Sequence, residues 1–162
     1  MPSVLFVCTA NLYRSPLAAA FLRDALKDAL GGNEWVIDSA GTWTRSGARI
    51  HSQTVEDARR FGMDVSTHKS KQVTADMLSR NDLILVMETG HKEALQIEFP
   101  DQSKKVYLLS EVVDGRYYDI PDPLSIQGIH DRDIVKELHE IITRGNKKIF
   151  ALAKKNSNNS TK

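Results

Sequence analysis

The feature that most constrains the fold is a short apolar run near the N-terminus, followed at once by a polar loop and a helix start. The run Val4–Val7 is continuous rather than alternating, as expected of a strand buried on both faces of a parallel sheet. Ser15 and Pro16 then predict a helix, with Ser15 as its N-cap and Pro16 as its first residue. Gly31-Gly32 predicts its end. The chain therefore begins as a strand–loop–helix unit.

The alternation of strands and helices continues along the chain. Strands and helices that alternate indicate an α/β fold, in which helices cover both faces of a parallel sheet. Ligands of such sheets bind at the carboxyl ends of the strands, which is where Cys8 falls. Residues 1–153 are predicted to form a single domain, and the polar residues 154–162 a disordered tail. The pattern predicts further strands over 35–39, 82–87 and 105–109, helices over 51–61, 89–97 and 130–153, and a long loop over 110–129.

Charge and cysteine content exclude several classes of protein. With 22 basic and 21 acidic residues the net charge is +1, so nothing indicates nucleic-acid binding. No apolar stretch approaches the roughly 20 residues that span a bilayer. One cysteine makes neither an internal disulfide nor a multi-cysteine metal site, and the histidines lack ligand spacing, so no metal or cofactor is expected. A free thiol fits a reducing, cytoplasmic setting, and we expect a monomer.

The loop after the first strand carries residues suited to phosphate chemistry. Cys8 is followed by five residues and then Arg14-Ser15, and a loop of this length can turn its backbone N–H groups inward around an anion. Arg14 can bind two phosphate oxygens, and the field that holds the phosphate also stabilises the Cys8 thiolate as a nucleophile. The Ser15 hydroxyl could bond to the sulfur. The phosphate-binding residues are predicted to be Thr9, Ala10, Asn11, Leu12, Tyr13, Arg14 and Ser15.

The alternative interpretation of the cysteine is structural. A free cysteine is often a small buried hydrophobic residue, with Arg14 then on the surface and Ser15 only a cap. We disfavour it because the whole set coincides with the expected ligand position.

The segment from Cys8 to Pro16 resembles the signature of the low-molecular-weight protein tyrosine phosphatases, a Cys-x-x-Asn-x-x-Arg-Ser-Pro motif close to the N-terminus. The resemblance extends to three further segments, Asp38–Thr42, Val86–Glu88 and Asp122-Pro123, and so covers nearly the whole chain. At the position of Glu88 the family more commonly has an Asp. It implies a flavodoxin-like fold with a four-stranded parallel sheet. It also implies hydrolysis of phosphotyrosine, in proteins, peptides or small aryl phosphates, through a phospho-cysteine intermediate.

The reaction needs a proton donor for the leaving oxygen, and Asp122 is the candidate. Pro121 and Pro123 flank it and stiffen its backbone. Taken alone, the segment would read as a plain turn, and the family resemblance favours the catalytic role. Asp119 and Asp114 are the rivals in the same loop.

A supporting set is also implied by the resemblance. Asn11 suits a left-handed backbone, which Asn tolerates better than most residues. In the family this residue is held by a serine and a histidine, which correspond to Ser39 and His68. The alternative interpretations are that Ser39 is a turn residue at the end of a strand and that His68 is an exposed histidine of a loop.

Two departures from the family pattern change the expectations. The position before the loop arginine is often a second cysteine that protects the nucleophile from oxidation, and here it is Tyr13. The aromatic residues that usually follow Asp-Pro are replaced by Leu124-Ser125. Phosphotyrosine needs apolar walls around its ring. The candidate walls are Trp43 and Tyr13, with Leu12, Tyr117 and Tyr118 as further substitutes.

Three other functions are compatible with a phosphate-binding loop and are disfavoured by particular residues. Arsenate reduction passes oxidation between cysteines, which a chain with only Cys8 cannot do. Protein-arginine phosphatases of the same family tend to carry Thr where this chain has Leu12, so tyrosine is favoured. A non-catalytic phosphate-binding module would need neither a thiolate nor an acid.

Overall fold

The structure, a computed structural model, describes residues 1–29, 34–125 and 131–159. Its centre is a four-stranded sheet in which all pairings are parallel and the strand order is β2-β1-β3-β4. The α/β fold predicted from the alternation, with the four strands implied by the resemblance, is thus confirmed. The strands are β1 (Ser3–Cys8), β2 (Val36–Gly41), β3 (Leu83–Val86) and β4 (Val106–Leu108).

Helices cover both faces of this sheet. Side chains of successive β1 residues enter different hydrophobic clusters: Val4, Phe6 and Cys8 face one, Leu5 and Val7 the other. Burial on both faces explains why the β1 sequence is apolar without alternation. The helices are α1 (Arg14–Lys27), α2 (Ser52–Arg59), α3 (Ala75–Arg80), α4 (Thr89–Glu98), α5 (Leu109–Asp114) and α6 (Ile134–Asn159), with a 3₁₀ helix over Pro100–Lys105.

The strand order places a ligand crevice at the end of β1. The chain leaves β1 toward β2 on one side, and β3 lies on the other side, so the connections diverge at the carboxyl end of β1. Cys8 is the last residue of β1 and pairs with Gly41 of β2. The crevice therefore opens directly above Cys8.

The start of α1 differs from the prediction. The helix begins at Arg14 with Tyr13 as its N-cap, so Ser15 is not the cap and Pro16 is not the first helical residue. The backbone N–H of Leu17 already donates to the Tyr13 carbonyl at 3.1 Å, because the loop curls straight into the first turn. Pro16 is tolerated there because N–H groups of the first turn have no partner within the helix. Gly31-Gly32, the predicted helix end, lies outside the described residues.

Short helices account for most other differences. The predicted loop over 110–129 is wrong at its start, where α5 runs to Asp114 and ends at Gly115 with a left-handed φ of 66°. The helix α3 and the 3₁₀ helix are also absent from the predicted pattern. Elements of six residues contain too few turns for an apolar period to emerge from the sequence.

The last helix begins and ends later than predicted. It starts at Ile134 rather than His130, and it continues to Asn159, so the prediction of a disordered tail is wrong for residues 154–159. Burial of Ala153 and a 2.9 Å hydrogen bond from Asn156 Nδ2 to the Asp82 carbonyl attach this end to the domain. Polar composition alone does not end a helix, and residues 154–159 contain neither Gly nor Pro. None of the described helices combines the length and apolar character needed to cross a membrane.

Candidate active site

The loop between β1 and α1 curls around the Cys8 sulfur. The backbone N–H of Asn11 donates to Cys8 Sγ over 3.3 Å, and Ser15 Oγ lies 3.0 Å from the same sulfur. Asn11 is the non-glycine residue with positive φ, 59°, among the described residues, and this left-handed turn directs its N–H inward. The sulfur therefore lies beside the Asn11 N–H and close to the start of α1. Both the N–H group and the helix N-terminus favour an anion at this position.

Asn11 is held by the residues that the resemblance implied. Its Nδ2 donates to Ser15 Oγ at 2.8 Å and to Ser39 Oγ at 2.9 Å, and its Oδ1 accepts the backbone N–H of Lys71 at 2.9 Å. The His68 Nε2–H donates to the Asn11 carbonyl at 2.8 Å. Burial lowers the pKa of His68, against the opposing effect of this hydrogen bond, and so favours the neutral ring. Three separate segments thus converge on one buried side chain.

The end of β2 packs closely against the same loop. The backbone N–H of Thr42 donates to the Cys8 carbonyl at 2.8 Å, and that of Trp43 to the Thr9 carbonyl at 3.0 Å. A Cβ on Gly41 would lie 2.5 Å from the Thr9 carbonyl oxygen. Glycine is required here by this close approach, which lets β2 support the outer side of the loop.

Arg14 is buried, with only 2% of its surface exposed, and its guanidinium is held on several sides. Nη1 donates to the Ile120 carbonyl at 2.9 Å and lies 3.3 Å from Glu88 Oε1. Nη2 lies 3.4 Å from Thr9 Oγ1 and 3.9 Å from Asp122 Oδ2. These partners fix the plane of the guanidinium. The sequence analysis did not assign roles to Glu88 and Ile120, because their proximity to Arg14 arises only from the packing of β3 and the late loop.

The three candidate acids have different surroundings. The Asp119 carboxylate accepts hydrogen bonds from the backbone N–H and the hydroxyl of Thr89, at 2.8 and 3.0 Å. It thereby satisfies a free N–H group at the start of α4. Asp114 pairs with Arg144, which holds the pKa of its carboxyl low, at about 2. Asp122 accepts one backbone N–H, from Leu124 at 2.9 Å, and approaches Arg14 with its other oxygen. Asp122 is the one of the three that lies beside the loop arginine.

The aromatic residues predicted as pocket walls differ in their exposure and in their hydrogen-bond partners. Trp43 has 85% of its surface exposed and follows the segment bonded to the loop, which leaves it available as a wall. Tyr13 is only 4% exposed, and its hydroxyl donates to Asp57 Oδ2 at 2.6 Å, so the prediction that it lines the pocket is wrong. Burial, assisted by Asp57, raises the Tyr13 pKa. The hydroxyls of Tyr117 and Tyr118 are bonded to α5, to Glu111 and Asp114.

His91 is a site residue that the sequence analysis missed. The ring is buried, Nδ1 accepts the Glu88 backbone N–H at 3.1 Å, and Nε2 lies 2.8 Å from Thr9 Oγ1. Burial and the charge of Arg14 lower its pKa to about 4, against the opposing effect of Asp119. In the sequence, the only indication of a site role for His91 is its position three residues after Glu88, close to the end of a strand. The fold is needed to show that it faces Thr9.

Lowering the pH is expected to destabilise the fold through His91. The folded protein binds the His91 proton only near pH 4, whereas the ordinary pKa is 6.5, so the unfolded chain binds more protons in between. The stability contribution is fully present above about pH 6.5 and is lost as the pH falls toward 4, by at most about 3 kcal/mol. Urea unfolding of the wild type and His91→Gln across this range should give a shallower pH slope for the variant. Equal slopes would contradict the assignment.

The comparisons with known proteins agree with this geometry. The family model described as low molecular weight phosphotyrosine protein phosphatase matches residues 3–159. The chain belongs to this family. The family membership predicted from the Cys8–Pro16 motif is therefore confirmed. The chain is a cysteine-dependent hydrolase, as are the other members of the family.

Relatives within the phosphatase family carry two substrate names. A probable low molecular weight protein-tyrosine-phosphatase, EpsP of Ralstonia nicotianae, is 34% identical over 143 residues, which cover 88% of this chain and 90% of the relative. A protein-arginine-phosphatase of Geobacillus stearothermophilus is 34% identical over 122 residues, covering 74% of this chain and 77% of the relative. Family membership therefore establishes the phosphatase chemistry, whereas both phosphotyrosine and phosphoarginine occur as the named substrates of relatives.

Solved structures repeat this division. The low molecular weight protein tyrosine phosphatase from T. tengcongensis superimposes with a TM-score of 0.79 at 31% identity, over 93% of this chain and 99% of that one. The YwlE arginine phosphatase from Geobacillus stearothermophilus gives a TM-score of 0.80 at 29% identity, over 93% and 94%. Backbone similarity does not separate the two substrate classes, so individual pocket residues must do so.

Peroxide is expected to inactivate this phosphatase in a way that thiols reverse only in part. Cys8 is the single cysteine, and the position where the family often has a second one is occupied by Tyr13, so no internal disulfide can trap the sulfenic acid before further oxidation. The measurement is recovery of activity by dithiothreitol after graded peroxide doses. Full recovery even at high dose would show that another group protects the sulfur.

Proposed function

We propose that this phosphatase hydrolyses phosphotyrosine through a phospho-cysteine intermediate, with Cys8 as nucleophile. The observation that carries the proposal is the Cys8 sulfur at the base of the loop, within 3.3 Å of the Asn11 N–H and 3.0 Å of Ser15 Oγ. Both groups stabilise a thiolate. Arg14 stands buried beside the same loop and supplies the charge that a phosphoryl group needs.

In the first step the Cys8 thiolate attacks phosphorus and the bond from phosphorus to the tyrosyl oxygen breaks. Arg14 and the loop N–H groups stabilise the equatorial oxygens. Asp122 transfers its proton to the leaving phenolate, so a neutral tyrosine departs. The other carboxylates of the loop are engaged, Asp119 with Thr89 and Asp114 with Arg144, which supports Asp122 as the acid.

In the second step water attacks phosphorus and the phosphorus–sulfur bond breaks. The Asp122 carboxylate takes a proton from this water, and inorganic phosphate leaves with the electron pair of the new bond. The electron pair of the broken bond returns to Cys8. The Ser15 hydroxyl lies 3.0 Å from the sulfur and can turn its proton from the Ala40 carbonyl toward the re-formed thiolate. Asn11, Ser39 and His68 keep the loop in the shape that both steps require.

Trp43 is the proposed wall for the tyrosyl ring. It is strongly exposed, and its backbone is bonded to Thr9, so the indole stands at the rim of the loop. A flat apolar side chain can stack on the phosphorylated ring. Leu12, partly exposed within the loop itself, supplies a second apolar contact.

Phosphoarginine is the competing substrate, since relatives of both names match the chain. Leu12 favours tyrosine because it offers an apolar surface where the arginine phosphatases tend to carry Thr. The test is a panel of phosphotyrosine, phosphoarginine and phosphoserine peptides of one sequence. We expect kcat/KM for phosphotyrosine to exceed that for phosphoarginine by at least about 10-fold. Leu12→Thr should narrow this ratio, and faster hydrolysis of phosphoarginine would overturn the assignment.

The proposed partners are phosphotyrosine-bearing proteins. We propose that the phosphatase acts on them as a monomer and in the cytoplasm. A nucleophilic thiolate stays active only where thiols are kept reduced, which supports that compartment. Sedimentation of the full chain and cell fractionation test the two parts separately. A stable dimer would contradict the first, and an extracytoplasmic location would contradict the second.

A further inference from the structure

His91 is a buried histidine of α4 that the reaction described above does not use. Because its Nδ1 accepts the backbone N–H of Glu88, that nitrogen carries no proton. The proton of the neutral ring therefore lies on Nε2, 2.8 Å from Thr9 Oγ1. Glu88 Oε2 is farther from the same nitrogen, at 3.4 Å. Nε2 thus donates to the Thr9 hydroxyl oxygen.

The Thr9 hydroxyl oxygen also accepts a second hydrogen bond, from Arg14 Nη2 at 3.4 Å. A hydroxyl oxygen has two lone pairs and one proton. With both lone pairs engaged, its proton is directed away from His91 and Arg14. Thr9 directly follows Cys8 in the loop. The nearby carboxylates of Glu88 and Asp122 contact Arg14 and His91 rather than the Thr9 hydroxyl, so its proton remains available to a phosphoryl group bound by Arg14.

We propose that the Thr9 hydroxyl donates a hydrogen bond to the bound phosphoryl group, and that His91 is a positioning residue that orients this donor. The low pKa of His91 keeps the ring neutral and hence keeps the direction of donation fixed at neutral pH. The proposal rests on the proposed function for the identity of the substrate. Phosphate binding tests it without turnover, so the two can fail separately.

The first test is titration of Cys8→Ser protein with inorganic phosphate by calorimetry, with and without Thr9→Val. Loss of one hydrogen bond to a charged group should weaken phosphate binding by about 10–100-fold. Thr9→Ser restores the hydroxyl and should bind within about 3-fold of the parent. Equal affinity of the Val variant, or a Ser variant as weak as Val, would overturn the donor role.

The second test asks whether His91 acts through Thr9. His91→Phe should weaken phosphate binding when Thr9 is present and have no further effect in Thr9→Val, because the interaction is already lost. His139→Phe, a histidine replaced in the aromatic cluster with Phe21 and Phe61, is the matched control and should leave binding unchanged. If the Phe variant does not fold, His91→Leu takes its place; His91→Gln keeps a donor to Thr9 and should therefore retain phosphate binding. Losses that multiply in the double variant would overturn the positioning role.

An independent observation concerns two loops beside the active site, over 42–51 and 65–74, which we name the cationic rim. They contain four Lys and Arg residues and no Asp or Glu, in a chain whose net charge is only +1. Lys71 pairs with Asp38. Within the part of the chain that the structure describes, the exposed Arg45, Arg49 and Lys69 form no ion pair. The rim thus concentrates unpaired positive charge.

The cationic rim is attached directly to the phosphate-binding loop. Trp43 donates its backbone N–H to Thr9 and Lys71 donates its own to Asn11 Oδ1. Arg49 and Lys69 face each other across an antiparallel bridge, and like charges directly opposite are destabilising. The nearby carboxylates of Glu88 and Asp119 are engaged elsewhere, with Arg14 and with Thr89, and do not neutralise the rim.

We infer that the cationic rim binds acidic residues flanking the phosphorylated residue of a protein substrate. This deepens the proposed function by naming the substrate class. Exposed ion pairs are worth little individually, so the effect should appear mainly in KM and disappear at high salt.

The test compares phosphotyrosine peptides with acidic and with neutral flanks on wild type and on the double variant Arg49→Gln/Lys69→Gln. The double variant should lose about 3–10-fold in kcat/KM on the acidic peptide only. Lys104→Gln/Lys147→Gln, exposed lysines away from the rim, should show no such loss. Equal losses on both peptides, an unchanged acidic preference, or loss only of binding to anionic lipid vesicles would overturn the inference. Absence of any turnover would instead count against the proposed function.

Discussion

Replacing Cys8 by serine is expected to lower hydrolysis of aryl phosphates by at least about 10³-fold while phosphate binding remains. A serine hydroxyl is not ionised at neutral pH, and the loop offers no base to ionise it: the nearest groups are the Asn11 N–H and Ser15 Oγ. The Asn11 N–H and Arg14 are unchanged by the substitution. Steady-state rates with p-nitrophenyl phosphate and calorimetric titration with inorganic phosphate measure the two parts.

Ser15→Ala gives a graded comparison for this result. It removes the hydroxyl that faces the sulfur and one partner of Asn11, but it keeps the nucleophile. We expect a loss of about 10–100-fold, smaller than that for Cys8→Ser. Retained turnover in Cys8→Ser would contradict the mechanism outright. Loss of both turnover and phosphate binding would show that the substitution had damaged the loop rather than the chemistry, and Cys8→Ala would then be compared.

Replacing Asp122 by asparagine is expected to lower kcat/KM for phenyl phosphate by about 10²–10⁴-fold. Asparagine keeps an oxygen that can accept the Leu124 N–H, so the turn is preserved, but it has no proton to give. The loss should be much smaller with p-nitrophenyl phosphate, whose leaving group departs as a stable anion. kcat/KM is the appropriate measure because it covers the steps up to departure of the phenol.

Asp119→Asn is the matched control for the Asp122 variant. Its new side chain can still accept from Thr89, which is the role that the structure assigns to Asp119. We expect its kcat/KM to stay within a few-fold of wild type for both substrates. A loss confined to Asp119→Asn, with Asp122→Asn unchanged, would transfer the acid role to Asp119.

Much of the site was predictable because its residues are neighbours in the chain. The strand, the loop and the helix start lie within residues 3–27, so Cys8 and Arg14 come together through local geometry alone. Asn11, Ser39 and His68 lie farther apart, and the resemblance, not their spacing, indicated that they meet. Their contacts in the structure agree with that expectation.

Tyr13 shows the limit of reading residues one at a time. As an aromatic residue within the loop it was predicted to line the pocket. Its ring instead enters the core, where the hydroxyl reaches Asp57 of α2. The direction of a side chain that precedes a helix depends on where the helix packs, and this was not available from the sequence.

The sequence by itself determined the βα order, the buried first strand and the identity of the nucleophile and its arginine, because periodicity and loop length act over a few residues. Only the tertiary structure decided what surrounds Arg14. Glu88 and the Ile120 carbonyl contact it from the start of α4 and from the late loop, and His91 of α4 shares the Thr9 hydroxyl with it; all three lie more than 70 residues away in the chain. The physical reason is that hydrogen bonds and ion pairs depend on distances of about 3–4 Å, which are set by the packing of whole elements rather than by local sequence.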